Sequence, residues 1–336
     1  MKEALLYEKL AAKKVKCFLC AHRCLILAGK RGVCGVRENK AGLLYSLVYK
    51  KLVSQHVDPI EKKPFFHFLP GSVSYSIATV GCNFRCDFCQ NYAISQAVSD
   101  HDGIIGEETP AQDVVNSALK YGCRSISYTY TEPTISFEYA LEVMKLAKRE
   151  GLRNNFVTNG YMTAEMLECL KGYLDAANVD LKSFNDGFYK KICGARLEPV
   201  LESLRIMKKL DIWVEVTTLV VPGLNDSEEE LKKCAEFILS LGKETPWHVS
   251  RFYPQYKMEN VSPTPVEKLE RAREIGLKAG LRYVYTGNIT GDAGENTYCY
   301  NCKETLIKRY GFQVLEYNII DSRCKFCQTP VDGIRL

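Results

Sequence analysis

The chain has 336 residues, 46% hydrophobic and 25% charged, with a net charge of +5; it can bury a sizeable core, and so mild a charge does not call for a nucleic-acid partner. Its fifteen cysteines, with no secretory signal ahead of them, read as metal ligands in a reducing cytoplasm and exclude a disulfide framework. No apolar run approaches the roughly 18 residues of a membrane span. Residues 1–10 break their apolar side chains with charge and predict a short amphipathic helix. Cys17, Cys20, Cys24 and Cys34 follow, among Gly29, Gly32 and Gly35. Four thiolates on glycine turns fit a closed zinc site or a fully ligated iron-sulfur cluster, and spacing does not decide which. His22 sits inside this group, as a replacement ligand or an orienting neighbour.

Residues 43–57 suggest a strand pair, and Asp58-Pro59 with Phe65-Phe66-His67-Phe68 a connecting loop, in which His56 and His67 read as structural. From Val73 on, apolar β-branched runs alternate with helical stretches, which argues for parallel β/α units. The strands read at 73–80, 124–129, 154–158, 176–180, 213–220 and 247–250, with a seventh run at 281–285 flanking them. Helices are signalled by the capping boxes Thr109-Pro-Ala-Gln112, Ser227-Glu-Glu-Glu230 and Thr264-Pro-Val-Glu267. Six units are too few to close an eight-stranded barrel, so the expected form is an open, partial (β/α)6 TIM-like barrel of the α/β class, with chemistry at the C-terminal strand ends.

The polar residues fall at those ends. The first strand runs into Cys82, Cys86 and Cys89, a Cys-x3-Cys-x2-Cys triplet on a loop. Three thiolates with no fourth cysteine nearby suggest a cubane cluster with one iron left open, and the alternative is a zinc knuckle short of one ligand. Phe88 would shield the cluster or support an adenine ring. Glu132 ends the second strand, Asn159 the third, Asp180 and Lys182 the fourth, and His248 the last. Further on, Cys299-x2-Cys302 and Cys324-x2-Cys327 flank a strand-like run at 304–320, the organisation of a zinc ribbon, for which zinc is preferred over a second iron-sulfur cluster. Such a module takes its folding energy from its metal. Cys123, Cys169, Cys193 and Cys234 read as buried small hydrophobes, with Cys193 a candidate to face the substrate. The expected regions are a cysteine-rich metal-binding segment (1–70), the barrel (71–286) and the ribbon-like segment (287–336).

The triplet resembles the signature of the radical S-adenosylmethionine (SAM) superfamily. That resemblance implies a radical SAM barrel in which a [4Fe-4S] cluster on Cys82, Cys86 and Cys89 binds SAM through its open iron. There SAM is reductively cleaved to a 5'-deoxyadenosyl radical, which abstracts hydrogen from a substrate. Glu132 stands where the family recognises the methionine amino group, although Thr131-Glu132-Pro133 replaces its Gly-Gly-Glu. Asp180-Leu-Lys182, the loop Val220-Val-Pro-Gly-Leu-Asn-Asp226 and His248 are similar to methionine-binding segments of glycyl-radical-enzyme activases. With Gly32-Val-Cys-Gly-Val-Arg37, Gln90-Asn91, Trp247-His-Val-Ser-Arg-Phe252 and Tyr283-Val-Tyr-Thr-Gly-Asn288, the chain resembles the AmmeMemoRadiSam system radical SAM enzyme, related to pyruvate formate-lyase-activating enzymes. That likeness implies an iron-dependent oxidoreductase, an electron donor such as a flavodoxin or ferredoxin, and Memo-like or Amme-type partners.

The leading expectation is hydrogen abstraction from a protein or small-molecule substrate. Installation of a glycyl radical on a partner enzyme is the alternative. RNA modification would use the ribbon, but a mild charge without a basic-aromatic run weighs against nucleic acid. A non-catalytic metal-dependent scaffold is the reading from a different class, and retention of the triplet with Glu132, Asp180, Lys182 and His248 counts against it.

Overall fold

The computed structural model describes residues 1–98 and 103–336. Its central sheet sets strands β1 (Ser54–Pro59), β2 (Val73–Ala78), β3 (Ser125–Tyr128), β4 (Arg153–Thr158), β5 (Ala176–Asp180), β6 (Trp213–Val220), β7 (Trp247–Arg251) and β8 (Val284–Gly287) side by side in that order. Strands β2 to β8 are parallel and β1 pairs antiparallel with β2. Helices α1 (Ala111–Lys120), α2 (Phe137–Arg149), α3 (Ala164–Leu170), α4 (Glu198–Lys209), α5 (Glu228–Leu241) and α6 (Val266–Ala279) alternate with the parallel strands. Parallel neighbours in sequence order, joined through helices, are β/α units of the kind the sequence predicts. The run expected to flank the sheet is its last parallel strand, shifted to Val284–Gly287 and paired with β7.

The strands carry a buried polar layer. Ser74 and Ser127 hydroxyls meet at 2.6 Å, Ser127 donates to Asn155 at 2.7 Å and Thr217 to Asn178 at 2.8 Å. These bonds tie neighbouring strands together and offset part of the cost of burying the layer, in which the Ser76 hydroxyl and Asn155 Nδ2 have no hydrogen-bond partner.

Of the three expected capping boxes, the one at Ser227 forms, its side chain accepting from the Glu230 N–H, and α5 ends at Gly242. At α1 and α6 the helix starts after a proline with no side-chain cap. Thr109 N–H is drawn instead to the Lys50 carbonyl, continuing a short strand pair, and the Thr264 hydroxyl donates to the Val220 carbonyl while accepting from Phe252 N–H. Tertiary partners outbid the local box at both places.

The N-terminal helix does not form. Lys2–Glu3 and Tyr7–Lys9 are strands, paired with Leu43–Ser46 and Val15–Cys17. Ten residues are too few to hold a helix in water without packing, and here Ala4, Leu6 and Tyr7 pack on the core from an extended backbone while Leu5 stays exposed. The 43–57 region does hold strands, but Leu43–Ser46 pairs within the N-terminal segment and β1 with the central sheet, so they are not partners of each other. Cys123, Cys193 and Cys234 are buried as expected, whereas Cys169 is exposed on α3.

At the other end of the chain Thr297–Tyr298, Thr305–Tyr310 and Gln313–Tyr317 form an antiparallel sheet. Beside it Cys299, Cys302, Cys324 and Cys327 gather with all four sulfurs within 4.8 Å of one another, Cys299 to Cys327 at 3.6 Å and Cys302 to Cys324 at 3.7 Å.

Candidate active site

A cleft of about 520 Å³ opens at the C-terminal ends of the parallel strands. Typical small-molecule sites enclose roughly 300–1,000 Å³, so this one is of the size that holds a cofactor. Eight of the nine residues proposed from sequence as catalytic or cofactor-binding line it: Cys82, Cys86, Cys89, Phe88, Glu132, Asn159, Asp180 and Lys182; His248 does not.

The triplet loop leaves β2 through Gly81, whose φ is +96° and whose added Cβ would stand 2.8 Å from Val36. Glycine is required there by conformation and by space. Four separate segments then hold the loop. Arg85 donates to the Cys82 carbonyl at 2.9 Å and the Val33 carbonyl at 2.7 Å, and His22 bonds the Asn83 carbonyl at 2.7 Å. The Arg85 and Asp87 amides donate to the carbonyls of Cys193 and Ile192, and Asn159 Nδ2 donates to Asn83 Oδ1 at 2.7 Å. His22 therefore orients this loop.

Burial pushes the Cys82 and Cys89 thiols above their usual range. For Cys86 the larger cause is a hydrogen bond with Cys193, followed by burial. Thiols in this state are poor nucleophiles and become thiolates when a bound cation replaces their protons. Cys193 does not line the cleft; it lies buried behind Cys86.

Glu132 is 2% exposed and both its oxygens have protein donors. Oε1 takes Thr158 Oγ1 at 2.7 Å, the Thr134 amide at 3.0 Å and the Thr134 hydroxyl; Oε2 takes the Asn159 amide at 2.8 Å. The carboxylate thus fixes the turn after β4, and its Oε2 keeps capacity for a further donor. Burial raises its pKa against these bonds. On β5, Lys182 Nζ lies 2.7 Å from Asp180 Oδ2 and 5.7 Å from the centre of the Phe88 ring. Burial works against the ammonium, but Asp180 and the surrounding thiols outweigh it and keep Lys182 charged.

His248 lies one layer below the cleft. Its Nε2 meets Glu215 Oε2 at 2.8 Å, and its ring stacks on Tyr285 and meets Phe66 edge-on. Glu215 is fully buried and also accepts from the Phe66 amide at 3.0 Å, the His67 amide at 2.9 Å and Trp213 Nε1 at 3.1 Å. These donors hold its pKa below the usual range although burial alone would raise it. Inward positions on β7 are 248 and 250, and it is Ser250 that reaches the cleft.

His67 is structural, as expected: one ring nitrogen meets the Asp332 carbonyl and the other the Tyr285 hydroxyl, both at 2.6 Å. Burial lowers its pKa to about 4, so it folds neutral. The unfolded imidazole titrates near 6.5, so the stability gained from keeping His67 neutral is complete above that pH and is lost as pH falls toward 4. The loss amounts to about 3 kcal/mol over that window. Urea midpoints measured from pH 7 to pH 4.5 are expected to fall, and to fall less steeply in His67→Gln; equal slopes in the two proteins would contradict the assignment.

Sequence reasoning missed the wall opposite the triplet. Lys63, only 2% exposed, pairs with Asp58 at 2.7 Å and sits 4.1 Å over the Tyr130 ring, whose hydroxyl donates to the same carboxylate. Burial lowers the Lys63 pKa to about 8. Asp58 and Lys63 precede the first parallel strand and belong to no spacing motif, so only the folded arrangement joins them to the cleft.

The profile of the family described as the Radical SAM superfamily matches residues 76–238. The chain is 48% identical over 335 residues to the uncharacterized protein MJ0808 of Methanocaldococcus jannaschii, covering 99% of both. It is 23% identical over 224 residues to pyruvate formate-lyase 1-activating enzyme of Escherichia coli, covering 61% of this chain and 89% of that one. Among solved structures, a radical SAM methyltransferase from Sphaerobacter thermophilus superposes with a TM-score of 0.52 at 16% identity, over 68% of this chain and 71% of the other. At that identity the likeness is one of fold.

Proposed function

The chain belongs to the radical SAM superfamily and is a radical SAM enzyme, and from that premise we propose that Cys82, Cys86 and Cys89 hold a [4Fe-4S] cluster whose open iron takes SAM in the cleft. The observation that carries this is the convergence of three thiols, one buried and two half-buried, with Asp180, Lys182, Glu132 and Asn159 on one cavity at the strand ends. The thiols also fit the group in spacing. Among the described residues the C-terminal four alone crowd within 4.8 Å, as one tetrahedral ion demands, whereas the triplet is spread more widely, as corners of a cubane require. When bound, the cluster and SAM supply reductive cleavage of the sulfonium and, through it, hydrogen abstraction.

The remaining work belongs to the chain's own residues. The Lys182 ammonium, oriented by Asp180, faces the cleft where it can bind the methionyl carboxylate. Glu132 Oε2 offers the remaining acceptor for the amino group while its other bonds hold Asn159, which in turn ties the Cys82 end of the loop. Phe88 covers the thiols with an aromatic face suited to an adenine. His248, one layer down, positions the floor through Glu215 and does not touch SAM. The open sheet is read as a partial (β/α)6 barrel extended by β8, flanked by regions 1–70 and 287–336. Two pairs of the C-terminal sulfurs stand 3.6 and 3.7 Å apart, close to the separation of about 3.8 Å that Zn–S bonds of about 2.3 Å impose, so that site takes zinc; the N-terminal cysteines take a metal of their own.

Relatives described as glycyl-radical or pyruvate formate-lyase-activating enzymes support a second reading, in which the substrate is a partner protein reached through the wide cleft. An AmmeMemoRadiSam-type system with Memo-like or Amme-type partners, a flavodoxin or ferredoxin donor and a cytoplasmic location belong to the same proposal.

The test is anaerobic reconstitution followed by incubation with SAM and dithionite. Formation of 5'-deoxyadenosine above the protein-free background is expected, and folded, iron-loaded protein that forms none would overturn the proposal. In the same assay Lys182→Met is expected to bind SAM about 10- to 100-fold more weakly at unchanged iron content, since a hydrogen bond to a charged group contributes roughly 1.5–3 kcal/mol. Unaltered SAM affinity would remove Lys182 from the site.

A further inference from the structure

Cys17, Cys20, Cys24 and Cys34 line a second, small void between them, walled by apolar side chains that include Ile26 and Ile135. The four thiols thus border one shared space. Among the described residues they do not form a group with sulfurs within 4.8 Å of one another, in contrast to the C-terminal four. A zinc ion pulls four sulfurs to about 3.8 Å and leaves no void between them. A cubane sets its ligands on outer corners and fills the space between with iron and sulfide.

Arg37 adds an independent sign. It is 1% exposed, and both its terminal nitrogens are spent on Glu138, at 3.0 and 2.6 Å. Its Nε is buried without any hydrogen-bond partner, and the residue lines the void. A buried N–H without an acceptor is destabilising, so such groups are rarely left unpaired. A cluster sulfide or thiolate in the void would accept it, and hydrogen bonds to sulfur are a normal part of such sites.

We propose that the N-terminal cysteines ligate a second, fully coordinated [4Fe-4S] cluster rather than zinc. This rests on the reading that they bind a metal at all, and specifies which. The site adjoins the triplet: a Cβ on Gly81 would stand 3.2 Å from the Cys34 carbonyl oxygen, and Arg85 bonds the carbonyls of both Val33 and Cys82. With four protein ligands it has no open iron for SAM, so the two centres are spectroscopically distinguishable.

Iron, sulfide and zinc are to be counted in three reconstituted full-length proteins: the wild type, a variant with Cys82→Ala, Cys86→Ala and Cys89→Ala, and that variant with Cys20→Ala and Cys34→Ala added. The expected iron contents are about eight, about four and none per chain, with zinc constant at about one. A triplet variant without iron but with about two zincs overturns the cluster and leaves the metal site standing. The same variant without iron and with about one zinc overturns both. Iron persisting in the third protein places the second cluster elsewhere and also overturns the proposal. If the variants do not fold, reduced wild type decides by electron paramagnetic resonance: one signal altered by SAM and a second indifferent to it are expected, and a single cluster signal overturns the inference.

Discussion

Replacing Cys86 with alanine is expected to lower the iron content by about four per chain and to bring 5'-deoxyadenosine formation down to the protein-free background. Two remaining thiols cannot hold a cubane that already has one corner without a protein ligand, so the loss is of the whole centre and not of one bond. Burial and the Cys193 hydrogen bond keep the Cys86 thiol protonated until metal displaces the proton, which makes its only favourable ionised state the ligated one. Cys193 lies behind Cys86, so Cys86→Ala/Cys193→Ala is the necessary companion. Iron retained in the single variant and lost in the double one would show Cys193 standing in as ligand. Full activity in both would show that Cys86 is not a ligand. Loss of a metal can also unfold a domain, and circular dichroism must accompany the counts.

Glu215→Gln is expected to be the most destabilising single change in the polar layer, lowering unfolding free energy by about 3–5 kcal/mol, the cost of breaking a buried, multiply bonded charge. The carboxylate receives four donors from three segments: Trp213 on its own strand, His248 on β7, and the Phe66 and His67 amides of the segment before β2. A glutamine amide would present N–H groups to some of those donors and leave amides unpaired in a site with no solvent. The measurement is chemical denaturation of the metal-loaded protein. A loss below about 1 kcal/mol would mean that the site tolerates a neutral acceptor and that the charge is not what holds the 65–68 segment. Activity should fall with stability and not ahead of it, because Glu215 and His248 lie beneath the cleft.

The same pair marks how far the sequence could be read. The β/α rhythm was legible because β-branched and aromatic residues cluster in the strands and helical stretches alternate with them, and the triplet was legible because its spacing is local. Glu132, Asn159, Asp180 and Lys182 were found because strand ends in such a sheet converge on one side. His248, expected to end its strand, is instead the second residue of β7 and lies toward its N-terminal end, so its depth along the strand keeps it from the cleft. That depth depends on a register, Thr217 opposite His248, which crosses 31 residues and leaves no local trace. Lys63, Asp58 and Tyr130 were hidden for the same reason. The N-terminal strands were misread as a helix since ten residues of mixed charge and apolar character satisfy either pattern, and the choice rests on the edge offered by Leu43–Ser46. The unformed capping boxes at Thr109 and Thr264 belong to the same class, each hydroxyl or amide having found a tertiary partner.

The central claim is that SAM binds an open iron of the cluster held by Cys82, Cys86 and Cys89. Electron-nuclear double resonance on the reduced protein, with SAM labelled by nitrogen-15 at the methionyl amino group, tests it most directly. Hyperfine coupling of the label to the cluster signal, absent in Cys86→Ala, is the predicted result. A reduced cluster that shows no coupling to the label, in protein that still binds SAM, would contradict the account.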